Sequence, residues 1–153
     1  MTAPRVPGMD LEVLAVGTEL LLGYTTDTNS PQLSTSLSEI GVRVLRRCTV
    51  SDEHAEIEAR VREALDRTGF VILTGGLGPT SDDVTKEAVA AVFGVPLELD
   101  NDYLARLRNS YESRGLGPMP SSNISQAEIP RGAVALANRR GTAPGLWLEG
   151  EQG

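Results

Sequence analysis

A glycine-rich stretch beside two neighbouring acids is the part of this sequence best suited to chemistry. The stretch reads Thr74-Gly-Gly-Leu-Gly-Pro-Thr80, and the carboxylates of Asp82 and Asp83 follow it. The apolar run 70–73 before it predicts a short buried strand, and a helix is predicted to start at Lys86 after it. A strand, a glycine loop and a helix N-terminus together form an anion site, because free amides and the helix dipole point to one place.

This loop is therefore predicted to hold a phosphate, through Thr74, Gly75, Gly76, Gly78, Pro79 and Thr80. The carboxylates of Asp82 and Asp83 would repel a bare phosphate, so a cation is expected beside them. A plainer interpretation stays open: strand-to-helix turns favour glycine, and Asp83 or Thr85 caps the helix. The stretch is neither a Gly-x-Gly-x-x-Gly nor a Walker A sequence, so it matches neither of those nucleotide-binding motifs.

Further acids follow the other predicted strands. Glu19 comes soon after the strand predicted at 11–16, and Asp52 after the one at 42–50, while Asp27 lies in a long polar loop. Ligands of parallel sheets bind at the carboxyl ends of the strands, so these acids are expected to converge on the glycine loop. Acids around a phosphate favour divalent-metal chemistry on a phosphorylated substrate. The alternative is that Asp52 caps the helix after it and that Asp27 is merely solvated.

The remaining pattern supplies the elements that position these residues. Ser30 and Pro31 predict a helix start, Gly41 and Gly69 predict helix ends, and Asp100 or Asn101 predicts another N-cap. Strands are predicted at 11–16, 42–50, 70–73 and 96–99, with short pieces at 123–129, 133–138 and 146–149. Strands that alternate with helices predict a three-layer α/β/α sandwich with a mostly parallel sheet.

Composition restricts the classes of protein and partner. The 153 residues predict one domain over 10–153 behind a disordered leader, 1–9. A net charge of −7 argues against nucleic-acid and anionic-membrane partners, and no apolar run approaches the ~20 residues of a membrane span. Cys48 is the only cysteine, which predicts a reducing cytoplasm. His54 is the only histidine, so a metal would be held mainly by oxygen, which favours Mg²⁺.

Several motifs, in chain order, carry a family resemblance. They are Val16-Gly-Thr-Glu-Leu-Leu-Leu-Gly23, Asp27-Thr-Asn29, the glycine loop, Asp82-Asp-Val-Thr-Lys-Glu87 and Gly141-Thr-Ala-Pro-Gly145. Together they resemble the N-terminal domain of the competence/damage-inducible CinA family, which belongs to the MoaB/Mog superfamily of molybdopterin-binding folds. The resemblance implies a MogA-like sandwich and a dimer or trimer. In the CinA branch it implies a metal-dependent pyrophosphatase acting on ADP-ribose. In the molybdenum-cofactor branch the same pocket binds molybdopterin and supports its adenylylation.

The resemblance also implies roles for individual residues. Asp52 and Asp83 are expected to be catalytic, and Asn29 and Thr142 to join the glycine loop in binding the ligand. The expected ligands of a divalent metal, Mg²⁺ or similar, are Glu19, Asp27 and Asp82. A catalytically silent binding module is the third possibility.

The sequence departs from the family at two places. Many relatives have Lys-Gln-Ala where this chain has Ser125-Gln126-Ala127. Relatives also continue past Gly145 with another strand and a Leu-Pro-Gly-x-Pro turn, so the domain is expected to be truncated at its C-terminal end.

Overall fold

The computed structural model describes residues 8–138 and 141–151. Most of the leader expected at 1–9 and the arginine pair at 139–140 therefore lie outside the described residues. None of the helices within the described ranges combines the length and apolar character needed to cross a membrane.

The central sheet has three parallel strands. They are β1 (Asp10–Val16), β2 (Arg43–Val50) and β3 (Val71–Thr74), in the order β2-β1-β3. In the register, Leu14 of β1 lies between Cys48 of β2 and Leu73 of β3. The residues of β1 from Leu11 to Val16 are all buried, as expected for a central strand that is covered on both faces.

Helices cover both faces of this sheet. Leu11 and Val13 pack towards α2 (Asn29–Glu39), whereas Leu14 and Val16 pack towards α3 (His54–Thr68) and α4 (Thr85–Phe93). Successive side chains of a strand point to opposite faces, so one run of apolar residues serves two helical layers. The predicted three-layer α/β/α sandwich is thus confirmed.

The C-terminal part of the described chain is irregular. Its elements are β4 (Leu97–Leu99), α5 (Asn101–Ser113), a 3₁₀ helix (Ser121–Ala127), β5 (Glu128–Pro130), β6 (Val134–Leu136) and β7 (Gly145–Trp147). β4 pairs with β5, and β6 with β7, both antiparallel and outside the central sheet. The strand predicted at 123–129 is therefore wrong over most of its length: Asn123 and Gln126 are buried and bonded to each other within the 3₁₀ helix.

The helix ends are only partly as predicted. Asp100 caps α5, since its carboxylate accepts a hydrogen bond from the Tyr103 amide at 2.8 Å. The N-caps predicted at Ser30 and Thr85 are wrong, because both residues already lie inside their helices. At α2 the capping oxygen comes from Asp27, which accepts from the amides of Asn29 and Ser30. The Asp27 side chain, three positions before Ser30, thus makes the capping bonds that were expected of Ser30.

A buried carboxylate joins β1 to the end of α3. Glu12 is 1% exposed and accepts two hydrogen bonds from the Arg67 guanidinium, at 2.7 and 2.9 Å. These bonds, and secondarily the charges of Arg67 and Arg46, hold the pKa of Glu12 below its ordinary 4.5 although burial opposes them. The pair therefore adds stability that is complete above about pH 4.5 and is lost as the pH falls through the lower folded-state pKa.

Replacing Arg67 with alanine is expected to lower the free energy of unfolding at pH 7, because it leaves the buried Glu12 carboxylate without its hydrogen-bonding partner. The loss stays below that for a fully buried pair, because the Arg67 guanidinium is partly solvated. Urea unfolding should show the difference from the parent shrinking as the pH falls below 4.5, where Glu12 of the unfolded chain becomes protonated. Arg43→Ala, which removes the exposed pair with Asp10, is the control and should cost clearly less. Equal losses for the two variants would contradict this account.

Candidate ligand-binding site

The carboxyl ends of the three parallel strands form one edge, which leads into Gly17 after β1, Asp52 after β2 and Gly75 after β3. The backbones at this edge are in close contact. The Gly17 amide donates to the Val50 carbonyl at 3.0 Å, and a Cβ built on Gly75 would lie 2.1 Å from the Val16 carbonyl oxygen. The predicted convergence of the strand ends is therefore found at the level of the backbone.

The glycines of the loop are required by the protein's own packing. Gly75 and Gly76 have φ of +103° and +64°, values that residues other than glycine rarely adopt. A Cβ on Gly76 would lie 2.2 Å from the Thr85 hydroxyl, and one on Gly78 would lie 2.5 Å from the Asp83 carboxylate. A substitution at Gly76 would thus disturb the fold as well as the binding of a ligand. A loss of binding in such a variant would not by itself show that the ligand contacts this loop.

Two hydrogen bonds from Thr85 hold the start of the glycine loop. The Thr85 hydroxyl donates to the Gly75 carbonyl at 2.9 Å, and the Thr85 amide donates to the Gly76 carbonyl at 3.2 Å. Among the described residues, none accepts a hydrogen bond from the amides of Gly76 and Leu77. The loop therefore presents fixed amides without internal partners, which is the arrangement an anion site needs.

Asp83 closes the other end of the loop. One carboxylate oxygen accepts from the Thr80 amide at 2.9 Å and from the Thr80 hydroxyl at 2.5 Å. Burial raises the pKa of Asp83, but hydrogen bonds from Thr80 and Gly78 and the charge of Lys86 outweigh it and leave the pKa below 3.8. Asp83 is therefore ionised at neutral pH and positions Thr80.

Asp52 contacts a helix other than the one expected. Its carboxylate accepts from the Thr18 amide at 2.8 Å, and the Thr18 hydroxyl accepts from the Asp52 amide at 3.3 Å. Thr18 opens a short helix, α1 (Thr18–Leu21), so Asp52 binds the first turn of α1. The alternative in which Asp52 caps the helix after β2 is wrong, since α3 has Glu53 at its N-cap position without a side-chain bond.

Asn29 and Thr74, both predicted to bind the ligand, are brought together. The Asn29 side-chain amide donates to the Thr74 hydroxyl at 2.9 Å, which joins the start of α2 to the end of β3. Asp27 lies behind them, with its carboxylate engaged by the α2 amides. Hydrogen bonds from Ser30 and Asn29 and the charge of Arg47 hold the pKa of Asp27 below 3.8, against the effect of burial. The Asp27 carboxylate thus caps the start of α2.

The acids predicted to surround a metal lie on separate elements. Glu19 is on α1, Asp27 precedes α2, and Asp82 is exposed in the loop before α4. The described residues contain no group of three or more histidine, cysteine or acidic side chains placed to hold a metal ion. Asp52 and Asp83 follow strands that flank β1, and neighbouring strands lie about 4.8 Å apart, so β2 and β3 are about 10 Å apart. β1 therefore separates the strands that lead to Asp52 and Asp83.

Thr142 lies in the second glycine-proline loop, after β6. Its carbonyl accepts a hydrogen bond from the Tyr103 hydroxyl of α5 at 2.8 Å. Asn138 braces the same loop, since its side chain bonds the Gly141 amide and the Ala143 carbonyl. The backbone of Thr142 is thus fixed to the C-terminal part of the domain.

Two residues of this region were not among the site residues predicted from the sequence. Thr18 is the partner of Asp52, and Lys86 is buried in the first turn of α4. The Lys86 ammonium donates to the carbonyls of Ser125 and Glu128, and burial lowers its pKa. The helix start around Lys86 is polar, with Thr85 and Glu87 beside it, so the sequence carried no local signal of its burial. The Lys86 ammonium thus reaches the backbone at Ser125, the position at which the resemblance led us to expect a lysine.

Comparison with known proteins agrees with this geometry. Residues 12–152 match the family described as a probable molybdopterin binding domain. A CinA-like protein of Gemmatimonas aurantiaca is 50% identical over 145 residues, which cover 95% of this chain and 34% of that protein. A putative competence-damage inducible protein of Desulforudis audaxviator is 45% identical over 141 residues, covering 92% of this chain and 34% of that protein. This chain thus spans about a third of the length of these relatives.

Solved structures show the same relationship. The CinA protein of Thermoplasma acidophilum, whose function is given as unknown, has a TM-score of 0.81 and 36% identity, covering 90% of this chain and 80% of its own. The tungsten cofactor synthesizing protein MoaB of Pyrococcus furiosus has a TM-score of 0.54 and 25% identity, covering 71% and 66%. Family, relatives and fold agree, and the chain belongs to the probable molybdopterin-binding domain family, within its CinA-like branch.

Proposed function

We propose that this domain binds a phosphorylated nucleotide or pterin ligand at the carboxyl edge of the central sheet, with a phosphate on the glycine loop. The observation that carries the proposal is the pair of fixed amides at Gly76 and Leu77, for which the described residues offer no acceptor. Amides held in place before binding lose little entropy when an anion arrives. The Thr74 hydroxyl and the Asn29 side chain lie at the same edge and supply further polar contacts.

The reaction we propose is hydrolysis of the phosphoanhydride of ADP-ribose, which releases AMP and ribose 5-phosphate. Water attacks one phosphorus atom, the bridging P–O bond breaks, and the leaving phosphate takes the electron pair. In this proposal the loop amides bind the negative charge that develops on the phosphate oxygens. Asp83 keeps Thr80 in position through Oδ2, and its other carboxylate oxygen, Oδ1, which does not bond Thr80, is the group we propose to accept the proton of the attacking water.

A divalent metal is expected from the resemblance but has no preformed site among the described residues. The carboxylates of Asp27, Asp52 and Asp83 each already accept hydrogen bonds from backbone amides. Of the five predicted acids, Glu19 and Asp82 have carboxylates that accept no hydrogen bond from the described residues, and they lie on different elements. The proposed steps therefore use no metal, and metal dependence is a quantity for the assay to measure.

Molybdopterin binding is a second candidate function. The name of the matching family and the similarity to MoaB of Pyrococcus furiosus favour it. Molybdopterin carries a phosphate that the same loop amides would bind, and its pterin ring would need a further contact such as the Asn29 side chain. Both candidate functions use the glycine loop, but only the first includes hydrolysis of the bound ligand.

Incubation with ADP-ribose, with and without Mg²⁺, separates the possibilities. Release of AMP, followed by chromatography, supports the pyrophosphatase. A rise in the thermal midpoint with ADP-ribose but without AMP supports a silent binding module. A rise with molybdopterin alone supports the second candidate. If none of these compounds changes the midpoint and no AMP appears, the proposed function is wrong.

A further inference from the structure

β2 has an outer edge that no described strand covers. Among the strands of the described ranges it pairs only with β1, on one side. Five of its eight residues are exposed, whereas β1 is buried from Leu11 to Val16. β2 therefore presents a row of backbone groups and several side chains to solvent.

The backbone groups that face this outer edge can be identified. The Val50 carbonyl accepts a hydrogen bond from the Gly17 amide at 3.0 Å, so Val50 faces β1. Residues alternate in direction along a strand, so the backbone of Cys48 also faces β1, whereas the amides and carbonyls of Arg47 and Thr49 face outward. Uncovered strand groups of this kind are a template for pairing with another extended segment.

Two surface hollows flank this edge. The α3 hollow, of about 290 Å³, lies between β2 and α3 and is lined on the helix side by Arg60 and Arg67. The α2 hollow, of about 400 Å³, lies between β2 and α2 and is lined on the helix side by residues such as Ser34. Arg46 and Arg47 of β2 line both hollows. Successive side chains of a strand point to opposite faces, so a strand added at this edge would place alternate side chains in the two hollows.

The guanidinium groups of Arg46 and Arg47 have capacity for further bonds. Arg47 forms no hydrogen bond or ion pair with any described residue, and its charge acts on the Asp27 carboxylate from beyond ion-pair distance. Arg46 is 62% exposed and lies 4.0 Å from Glu12, whose carboxylate already accepts two other hydrogen bonds. The second acid of the α3 hollow, Glu63, is paired with arginines of its own helix. The edge thus offers two adjacent guanidinium groups, each able to bind a carboxylate through two hydrogen bonds.

We propose that the outer edge of β2 binds an extended acidic segment of a partner protein, with carboxylates of two adjacent residues on Arg46 and Arg47, one in each hollow. The backbone of the segment bonds the outward groups of Arg47 and Thr49. A nucleic acid fits less well, because a phosphodiester backbone has no amides to match a strand edge and a polyanion is repelled by the net charge of −7. A second copy fits less well, because pairing two such edges would bring their arginines together.

A peptide library and amide hydrogen exchange test this inference on the chain 1–153. The library holds capped peptides of about eight residues, with two adjacent glutamates fixed at the centre and the other positions varied. The tightest peptide, at saturation, should slow exchange of the Arg47 and Thr49 amides by about 10-fold or more in NMR and leave that of Cys48 unchanged, since Cys48 is already bonded to β1. Binding should weaken as NaCl is raised from about 0.05 to 0.5 M, because salt screens exposed charges.

Replacing both Arg46 and Arg47 with glutamine should weaken binding of that peptide by about 10-fold or more. Arg43→Gln is the matched control, since Arg43 lies on the same strand but is bonded to Asp10 and lines neither hollow. It should leave binding close to that of the parent.

Three results would overturn the inference. One is equal binding of the glutamate library and of the same library with glutamines at its centre. Another is parent-like binding by the double variant, or protection of amides other than those of Arg47 and Thr49. The third is a different occupant of the edge: a short oligonucleotide that binds more tightly than the best peptide, or a dimer of 1–153 in sedimentation that protects both amides without peptide.

Discussion

Asp83→Asn is expected to reduce the turnover of ADP-ribose by about 10²–10⁴-fold while the domain stays folded. The asparagine keeps the shape of the side chain and one oxygen for the Thr80 amide, but it removes the charge and the capacity to accept a proton. The loss of a charge-assisted hydrogen bond should cost about 1 kcal/mol of stability. Steady-state AMP release and urea unfolding, measured on the same preparations, give both quantities.

Two further variants decide what Asp83 does. Asp82→Asn changes the adjacent exposed carboxylate, which has no part in the proposed steps, and should leave turnover close to that of the parent. Thr80→Val removes the hydroxyl that bonds Asp83 and keeps the amide. If Asp83 acts only as a loop brace, Thr80→Val should lose as much activity as Asp83→Asn. Parent-like turnover in Asp83→Asn would end its catalytic assignment.

Gly75→Ala is expected to destabilise the domain by about 3 kcal/mol or more, independently of any ligand. Alanine would have to adopt φ near +103°, and its Cβ would lie 2.1 Å from the Val16 carbonyl oxygen at the centre of the strand edge. For a domain of this size the thermal midpoint should fall by roughly 10 °C. Urea unfolding of the unliganded protein is the direct measurement.

Gly23→Ala is the matched control for Gly75→Ala. Gly23 also has a positive φ, +75°, but a Cβ built on it meets nothing within 4 Å. Its replacement should cost only the left-handed conformation, about 1–2 kcal/mol. The difference between the variants isolates the contact with Val16. If both lose the same stability, the backbones at the carboxyl edge are less closely packed than described.

Much of the fold follows from local pattern in the sequence. The strand predicted at 11–16 and the helix end predicted at Gly69 are both found, in β1 and at the end of α3. These features depend on residues within a few positions of one another, so periodicity is sufficient to find them. The family motifs likewise lie in short segments, and the family they indicated is confirmed. The strand predicted at 70–73 is found as β3, but it was expected to be buried and is only half-buried, because it lies at the end of the order β2-β1-β3.

The hydrogen bond between Asp83 and Thr80 could also have been predicted from the sequence. Asp83 and Thr80 are three positions apart, a spacing at which an aspartate commonly bonds a backbone amide. The sequence interpretation placed both residues at the site and left open whether Asp83 is catalytic or caps the helix. The structure adds that its carboxylate is already committed to the loop.

Only the tertiary structure decided which distant residues meet. Asp52 binds Thr18, 34 positions away, and the ammonium of Lys86 reaches the carbonyl of Ser125, 39 positions away. The order β2-β1-β3 sets the first pairing by placing β1 beside β2, and it leaves one edge of β3 without a described partner. Local pattern gives the direction of a side chain within its own element, whereas the neighbour it meets depends on how the elements pack, because loop closure allows many pairings of similar cost.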